Sequence, residues 1–276
     1  MSDKEYLLKI DEITTFIKDR TSLRPTVGLI LGSGLHDLVN IMDVELELYF
    51  SEIPHIVAPT APSHKGKVFI GKINNVNVII MQGRLHLYEN IDPRIATILI
   101  RVMKKLGVKS IINTCASGGL NRNFDIGDLM VISDHINMFG QNALTGPNLS
   151  DFGERFVSLN NIYNKECIKY FEDVCIAKHI KYQKGVYLAY IGPYYSTMAE
   201  YRFFEIIGAD AIGMSVIQEV LVAAHCGIKV LGIAVITDLA YVEDPNYHPS
   251  GDEIIVNAAK ATNKLQIVIN NIINQL

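Results

Sequence analysis

The chain has 276 residues, 49% of them hydrophobic, and no low-complexity tract or Pro/Gly/Ser-rich linker divides it, so we predict a single domain over residues 1–276. The formal net charge of −4 and the scattered lysines and arginines argue against a surface for nucleic acid or anionic membranes. The amino terminus is too polar for a signal peptide and no apolar run approaches a membrane span, which predicts a cytoplasmic protein. The four cysteines lack Cys-x-x-Cys spacing, so we expect reduced thiols, with neither a disulfide framework nor a zinc site.

The first predicted elements are a helix over residues 4–19 and a buried strand over residues 27–31. The strand runs into Gly32-Ser33-Gly34, where two glycines allow backbone amides to approach a ligand closely. A dinucleotide-binding fingerprint would need a third glycine at position 37, which is occupied by Asp37, so that interpretation is weak. Ser33 is a candidate phosphate donor, although a plain strand-to-helix turn explains the pattern equally well.

Residues 50–67 contain three prolines and read as a loop that could act as a lid. His64 lies in this loop among small and basic residues, so we expect it to be exposed. Most exposed histidines have no chemical role, but one beside an anion site can donate a hydrogen bond to the anion.

A short β-branched run over residues 76–81 predicts a strand, and the polar side chains of Arg84, His86 and Tyr88 follow it at alternate positions. An extended chain would direct all three to one face. A guanidinium, an imidazole and a phenol on one face suit an anion. A strand edge with a solvated polar face remains an equally good alternative.

The remaining pattern alternates helices with strands and predicts an α/β protein, with a mixed, largely parallel central sheet flanked by helices. Helices are predicted over residues 95–106 and 165–177, from about residue 198, and over 253–273, and strands over 110–113, 128–133, 185–191, 211–214 and 230–237. A polar excursion over residues 142–160 is too long for an ordinary connection and indicates a functional segment or a subunit contact.

In such folds, ligands bind beyond the carboxyl ends of the strands. Six candidate residues fall at those ends, namely Ser33, Arg84, Ala116, Tyr195, Ser215 and Asp238.

Six motifs occur in a fixed order along roughly residues 25–265. They are Leu-Gly-Ser-Gly-Leu at 31–35, Gln-Gly-Arg-Leu-His-Leu-Tyr-Glu at 82–89, Ser-Gly-Gly-Leu-Asn at 117–121, Gly-Asp-Leu-Met-Val-Ile-Ser-Asp-His-Ile-Asn at 127–137, Gly-Ala-Asp-Ala-Ile-Gly-Met-Ser at 208–215 and Glu-Val-Leu-Val-Ala-Ala-His-Cys-Gly at 219–227. Together they resemble the trimeric purine nucleoside phosphorylase family, which also includes methylthioadenosine phosphorylase. The resemblance implies a pentosyltransferase in which inorganic phosphate, a co-substrate, attacks the anomeric carbon of a purine nucleoside. It implies neither a metal nor an organic cofactor.

The resemblance also assigns roles to residues of this chain. The phosphate site would comprise Ser33, His64, Arg84, His86, the backbone at Ala116, and Ser215. Tyr88 and Met214 would hold the ribose, Tyr195 would pack against the purine, and His86 and Asp238 would take part in the chemistry. Phe156 would reach the site of a neighbouring subunit, which implies a homotrimer.

Three positions depart from the family members that are specific for 6-oxopurines such as inosine and guanosine. Those enzymes have glutamate where this chain has Ser196 and asparagine where it has Asp238. Their histidine near the sugar 5′ hydroxyl aligns with Gly251, although His248 could serve instead. Gly251 would leave room for a 5′ substituent. Methylthioadenosine phosphorylases have serine and aspartate at the first two places.

The base pocket is therefore predicted to favour 6-aminopurines. An ionised Asp238 would accept a hydrogen bond from the exocyclic amine of adenine and repel the carbonyl oxygen of hypoxanthine. A protonated Asp238 could donate to the purine nitrogen N7. A fourth departure, Cys115, stands where the family often has asparagine, and we expect a small buried residue there.

Three alternatives remain. The first is an ordinary inosine and guanosine phosphorylase, and the second is a non-catalytic purine nucleoside-binding protein. The third, a nicotinamide-dependent dehydrogenase, rests on Gly32-Ser33-Gly34 alone.

Overall fold

A computed structural model describes residues 1–62, 64–240 and 250–276. Within these residues, nine strands form one sheet. They are β1 (Val27–Leu31), β2 (Asp43–Tyr49), β3 (Lys67–Ile73), β4 (Val76–Gln82), β5 (Ser110–Gly119), β6 (Leu129–Asn137), β7 (Tyr182–Ala189), β8 (Ala211–Gly213) and β9 (Lys229–Leu239). The helices are α1 (Asp3–Lys18), α2 (Pro93–Ala96), α3 (Ile98–Leu106), α4 (Lys165–Ala177), α5 (Met198–Ile206), α6 (Ile217–His225), α7 (Gly251–Lys260) and α8 (Thr262–Ile272).

The strand order is β2-β3-β4-β1-β5-β8-β7-β6-β9, and β5 also pairs with β9. This extra pairing joins the last five strands into a closed ring. Five neighbour pairs are parallel, namely β1–β4, β1–β5, β5–β9, β6–β7 and β7–β8, and four are antiparallel, namely β2–β3, β3–β4, β5–β8 and β6–β9. The mixed α/β fold predicted from the sequence is confirmed.

Hydrophobic periodicity explains how the layers pack. All five residues of β1 are buried between two parallel neighbours, which is why the strand is continuously apolar. Helix α1 buries Ile10, Ile13 and Ile17 at helical spacing and begins with a capping box between Ser2 and Glu5. The hydroxyl of Tyr6 on this helix donates to the carbonyl oxygen of Arg94 at 2.8 Å and ties α1 to α2.

Several predicted boundaries were wrong. Strand β5 does not end at residue 113 but continues through the small residues 114–119, because each of them pairs with β9. The helix predicted over 95–106 is divided at Thr97, whose hydroxyl donates to the carbonyl oxygen of Pro93 at 2.7 Å. The terminal helix divides into α7 and α8 at Ala261.

Three elements lack a simple sequence pattern and were not predicted. Strand β2 is mostly exposed and rich in acidic residues, and β3 pairs with it at the edge of the sheet. Helix α6 is buried on nearly every side, so polar residues do not mark an outer face. No helix in the described part of the chain is both long enough and apolar enough to span a membrane.

Candidate active site

A cleft of about 570 Å³ opens where several strands end. It collects all but two of the residues to which the sequence assigned a role. These are Ser33, His64, Arg84, His86, Tyr88, Ala116, Tyr195, Met214, Ser215, Asp238 and Gly251. Their roles in binding stay predictions, but the fold places them around one space of a size suited to a small organic ligand.

Arg84 is the cation of this cleft. It follows β4 after Gly83, whose φ of 104° is accessible chiefly to glycine. The side chain is 1% exposed, and Nη2 donates to Asn113 Oδ1 at 2.8 Å and to the Thr114 carbonyl oxygen at 2.7 Å. The Nε atom lies 3.4 Å from Glu219 Oε1, while the buried Nη1 has no hydrogen-bond partner within the described residues. A buried guanidinium with a free donor suits an anion.

His64, His86 and Tyr88 form a stack beside this arginine. The ring centroids of His64 and His86 are 4.9 Å apart, and those of His86 and Tyr88 are 4.7 Å apart. Residues 87–89 form a 3₁₀ helix, so the extended conformation predicted for this segment holds only as far as His86. The stacking nevertheless keeps the rings of His86 and Tyr88 in the lining of the cleft.

The expectation that His64 is exposed was wrong. Its side chain is buried because the ring stacks on His86, and an added Cβ at Gly83 would lie 2.9 Å from His64 Cβ. Neither ring nitrogen of His64 has a hydrogen-bond partner in the described part of the chain. Burial lowers the pKa of His64 well below its usual value, with repulsion from His86 and Arg84 adding to the effect. The ring therefore offers a neutral donor or acceptor to a ligand.

His86 is held by Glu89, which the sequence did not single out. The His86 backbone amide donates to Glu89 Oε1 at 2.7 Å, and Thr60 Oγ1 donates to Oε2 at 2.6 Å. Burial lowers the pKa of His86, and its contact with Glu89 partly offsets this effect. Although burial opposes ionisation of Glu89, contacts with His86 and Thr60 lower its pKa to about 2. The glutamate thus anchors the loop that carries His64.

Asp238 also lines the cleft, near the end of β9. It is 6% exposed and accepts a hydrogen bond from Thr237 Oγ1 at 2.9 Å. Burial raises the pKa of Asp238, with the nearby Glu253 contributing and the Thr237 hydroxyl opposing. A Cβ at Gly118 would lie 3.0 Å from Asp238 Oδ2, so the glycine leaves space for the carboxyl group. Burial thus favours the protonated form of Asp238 more than in a solvent-exposed aspartate.

The residues from 213 to 219 connect this cleft to α6. The Ser215 backbone amide donates to the Tyr187 hydroxyl at 3.4 Å. Val216, the residue before α6, has a φ of 69°, which is unusual for a β-branched side chain. This backbone bend brings Ser215 to the cleft and Glu219 to the far side of Arg84.

Gly251 is the first residue of α7, with Ser250 as the N-cap that accepts from the Glu253 amide at 3.1 Å. An added Cβ at Gly251 would meet no atom within 4 Å among the described residues. The cleft wall is therefore open at this position. The alternative candidate, His248, lies outside the described residues.

Two predicted site residues do not line the cleft. Phe156 is 90% exposed on the long excursion, and Ser196 is half-buried beside Tyr195. Cys115 does line the cleft and is buried, with its Sγ 3.2 Å from Ser117 Oγ. Burial raises the pKa of its thiol, which is consistent with the small buried residue expected there.

Sequence reasoning missed the residues that support the cleft from behind. They are Glu89, Asn113, Tyr187 and Glu219. Thr237, which lines the cleft and donates to Asp238, was missed as well. Both glutamates stand inside motifs quoted above. Glu89 pairs with His86 in the same motif but also with Thr60, and Glu219 pairs with Arg84, a residue distant in sequence. Asn113 and Tyr187 sit within apolar strands and carry no local signal.

Comparison with known proteins identifies the family. The family model described as the phosphorylase superfamily matches residues 26–274. Purine nucleoside phosphorylase 1 of Bacillus subtilis is 44% identical over 232 residues, covering 84% of this chain and 86% of the relative. The Bos taurus purine nucleoside phosphorylase is 37% identical over 257 residues, covering 91% and 89%.

Solved structures give the same result. The Schistosoma mansoni purine nucleoside phosphorylase in complex with adenosine superposes with a TM-score of 0.90 at 34% identity, covering 97% of this chain and 96% of that one. Its complex with inosine gives a TM-score of 0.91 at 33% identity with the same coverage. The chain therefore belongs to the purine nucleoside phosphorylases of the phosphorylase superfamily, which are pentosyltransferases.

Proposed function

We propose that this protein cleaves purine nucleosides with inorganic phosphate and releases the free base and ribose 1-phosphate. The observation that carries the proposal is the buried Arg84, whose Nη1 has no hydrogen-bond partner within the described residues and which shares a cleft with Asp238. A binding protein for nucleosides alone would need no buried guanidinium at a second subsite. Phosphate is the co-substrate in this reaction, and no organic cofactor or metal enters the scheme.

In the proposed reaction, phosphate lies against the residues assigned to its site, namely Ser33, His64, Arg84, His86, the backbone at Ala116, and Ser215. A phosphate oxygen forms a bond to the anomeric carbon while the bond from that carbon to the purine breaks. The bonding electrons move into the purine, so negative charge develops on the base and positive charge on the sugar. Groups that stabilise this separated charge more strongly than the ground state accelerate the reaction.

Asp238 is the group that we assign to the leaving base. Its raised pKa allows it to carry a proton, which can pass to purine nitrogen N7 as charge arrives there. The other oxygen of the protonated carboxyl can accept a hydrogen bond from an exocyclic amine. Adenine presents both partners, whereas hypoxanthine presents a carbonyl oxygen in place of the amine. We therefore propose a preference for adenosine and methylthioadenosine.

The other residues with an assigned role would hold the sugar and the base. Tyr88 and Met214 are assigned to the ribose and Tyr195 to the purine face, where an amphipathic ring suits a heterocycle. Ser196 is assigned to the base edge, and Gly251 to the 5′ end of the sugar. Phe156, which is highly exposed, is assigned to a neighbouring subunit's cleft. We propose that the protein is a homotrimer and that it is cytoplasmic.

Release of free base from adenosine, methylthioadenosine, inosine and guanosine, each with and without phosphate, tests the proposal. We expect adenosine and methylthioadenosine to be cleaved only when phosphate is present. Cleavage confined to inosine and guanosine would keep the phosphorolysis and refute the assigned base preference. Nucleoside binding without any cleavage would instead support the non-catalytic alternative.

A further inference from the structure

Glu219 is a buried acidic residue that the proposed reaction leaves unused. It is 6% exposed, lies in the first turn of α6, and is not among the residues that line the cleft. Its Oε1 is 3.4 Å from Arg84 Nε, which makes an ion pair rather than a well-formed hydrogen bond. Glu219 therefore does not contact a ligand in the cleft, and its closest charged partner there is Arg84.

The surroundings show that this pairing is built into the fold. Asn113 accepts from Arg84 Nη2 at 2.8 Å and, through its own amide, donates to the Val216 carbonyl oxygen at 3.5 Å. Val216 has the unusual φ of 69° immediately before α6. Such backbone strain in a buried residue is maintained only where surrounding contacts impose it. Here the strained residue and Asn113 set the position of the helix turn that carries Glu219.

The charges around the cleft make this placement consequential. Arg84 is flanked by Glu219 on one side, and Glu89 lies behind the neighbouring His86. In a buried site, a carboxylate close to a guanidinium cancels much of the field that the cation would project on an anion. Without Glu219, Arg84 would bind inorganic phosphate more tightly. It would also bind the product ribose 1-phosphate more tightly.

We infer that Glu219 is a positioning residue that acts through Arg84 and limits the affinity of the cleft for phosphate. The inference rests on the proposed function, since it assigns phosphate to Arg84. Its consequence is that phosphate is recognised chiefly by directed donors, and that phosphate and ribose 1-phosphate exchange readily.

The test is the variant Glu219→Gln, which keeps the size of the side chain and removes its charge. We expect the dissociation constant for inorganic phosphate, measured by calorimetry without nucleoside, to fall by about threefold to tenfold. The KM for phosphate should fall in parallel, while the KM for the nucleoside stays within about twofold of wild type. Unchanged or weaker phosphate binding by the folded variant would overturn the inference.

A second variant separates charge from shape. Glu219→Asp retains the charge and shortens the side chain by one methylene, so phosphate binding should tighten less than in Glu219→Gln. Equal tightening by both variants would show that the charge is not the cause. The matched control is Glu166→Gln, which removes an exposed carboxylate that pairs with Lys229 at 2.8 Å. This control should bind phosphate as wild type does, and thermal unfolding checks that every variant is folded.

These measurements also separate the inference from the proposed function. If wild type binds phosphate and Glu219→Gln tightens that binding, the inference stands even where no nucleoside is cleaved. If nucleosides are cleaved and Glu219→Gln has wild-type phosphate affinity, the function stands and the inference fails. Absence of phosphate binding by wild type would refute both.

Discussion

The imidazole rings of His64 and His86 stack with centroids 4.9 Å apart, next to the buried guanidinium of Arg84. Burial lowers the pKa of both histidines, and Arg84 contributes to the shift in each. A bound phosphate would reverse part of this effect, because an anion favours the protonated imidazole. Protonation of His64 and His86 is therefore coupled to the binding of an anion.

The lowered pKa values predict that acid destabilises the ligand-free protein. Between pH 6.5 and the lower native pKa, the unfolded chain binds protons that the folded chain does not, so the free energy of unfolding falls as pH decreases. Each such histidine contributes at most about 1.4 kcal/mol per pH unit in that window. We expect the free energy of unfolding, measured with urea from pH 7 to pH 5, to fall less steeply with decreasing pH in His64→Asn than in wild type.

The matched control for this experiment is His179→Asn. His179 is exposed after α4 with a φ of 52°, a conformation that asparagine tolerates. This variant should keep the wild-type slope. Equal slopes for wild type and His64→Asn would show that His64 titrates in the folded protein as it does in the unfolded chain.

Arg84→Lys keeps the positive charge, but we expect it to raise the KM for phosphate. An ammonium cannot reproduce two donors from Nη2 to Asn113 and Thr114 while keeping Nη1 for a ligand. Loss of one charge-assisted hydrogen bond, worth about 1.5–3 kcal/mol, predicts a KM for phosphate about 10-fold to 100-fold higher. Steady-state kinetics with varied phosphate measures this. Arg20→Lys at the exposed end of α1 is the control, and a wild-type KM in Arg84→Lys would remove Arg84 from the phosphate site.

How much of this site could be predicted depends on where each residue's partners lie. Ser33 and Arg84 follow strands with strong apolar patterns, so placing them at strand ends needed only local sequence. Ala116 was harder because β5 continues past the predicted turn and pairs with β9, a partner more than 110 residues away. The small residues 114–119 suggest a turn when only the local sequence is considered, and their pairing with β9 shows that they continue the strand.

The missed features depend on tertiary contacts. His64 has polar neighbours in sequence, yet its ring is buried against His86, so its local composition pointed the wrong way. Helix α6 is buried nearly all round and lacks the amphipathic period that reveals a helix. Glu219 therefore looked like a motif residue without a partner until the fold brought it to Arg84.

Asp238→Asn should shift activity from adenosine toward inosine. An asparagine amide can donate to the carbonyl oxygen of hypoxanthine, whereas the Asp238 oxygen assigned to the exocyclic amine only accepts and repels that carbonyl oxygen. A mismatched buried polar pair costs about 1–3 kcal/mol, which predicts a change of roughly tenfold or more in the ratio of kcat/KM for the two nucleosides.

The pH profile gives a second, independent readout at this residue. Because burial raises the pKa of Asp238, loss of its proton should produce an alkaline decline in kcat/KM that Asp238→Asn lacks. Asp173→Asn, an exposed change on α4 beside Lys169, is the control and should keep the wild-type selectivity. An unchanged ratio in Asp238→Asn would contradict the charge argument for base preference.

Gly251 provides the test of the 5′ end of the nucleoside. An added Cβ meets no atom within 4 Å in the described part of the chain, so Gly251→Leu should fold and fill the open wall of the cleft. We expect kcat/KM for methylthioadenosine to fall at least tenfold relative to adenosine, because the leucine takes the volume of the methylthio group. Gly251→Ala is the control, since it changes backbone freedom while adding only a methyl group. Equal losses for both nucleosides in Gly251→Leu would mean that the side chain blocks the whole cleft, and no loss would place the sugar 5′ end elsewhere.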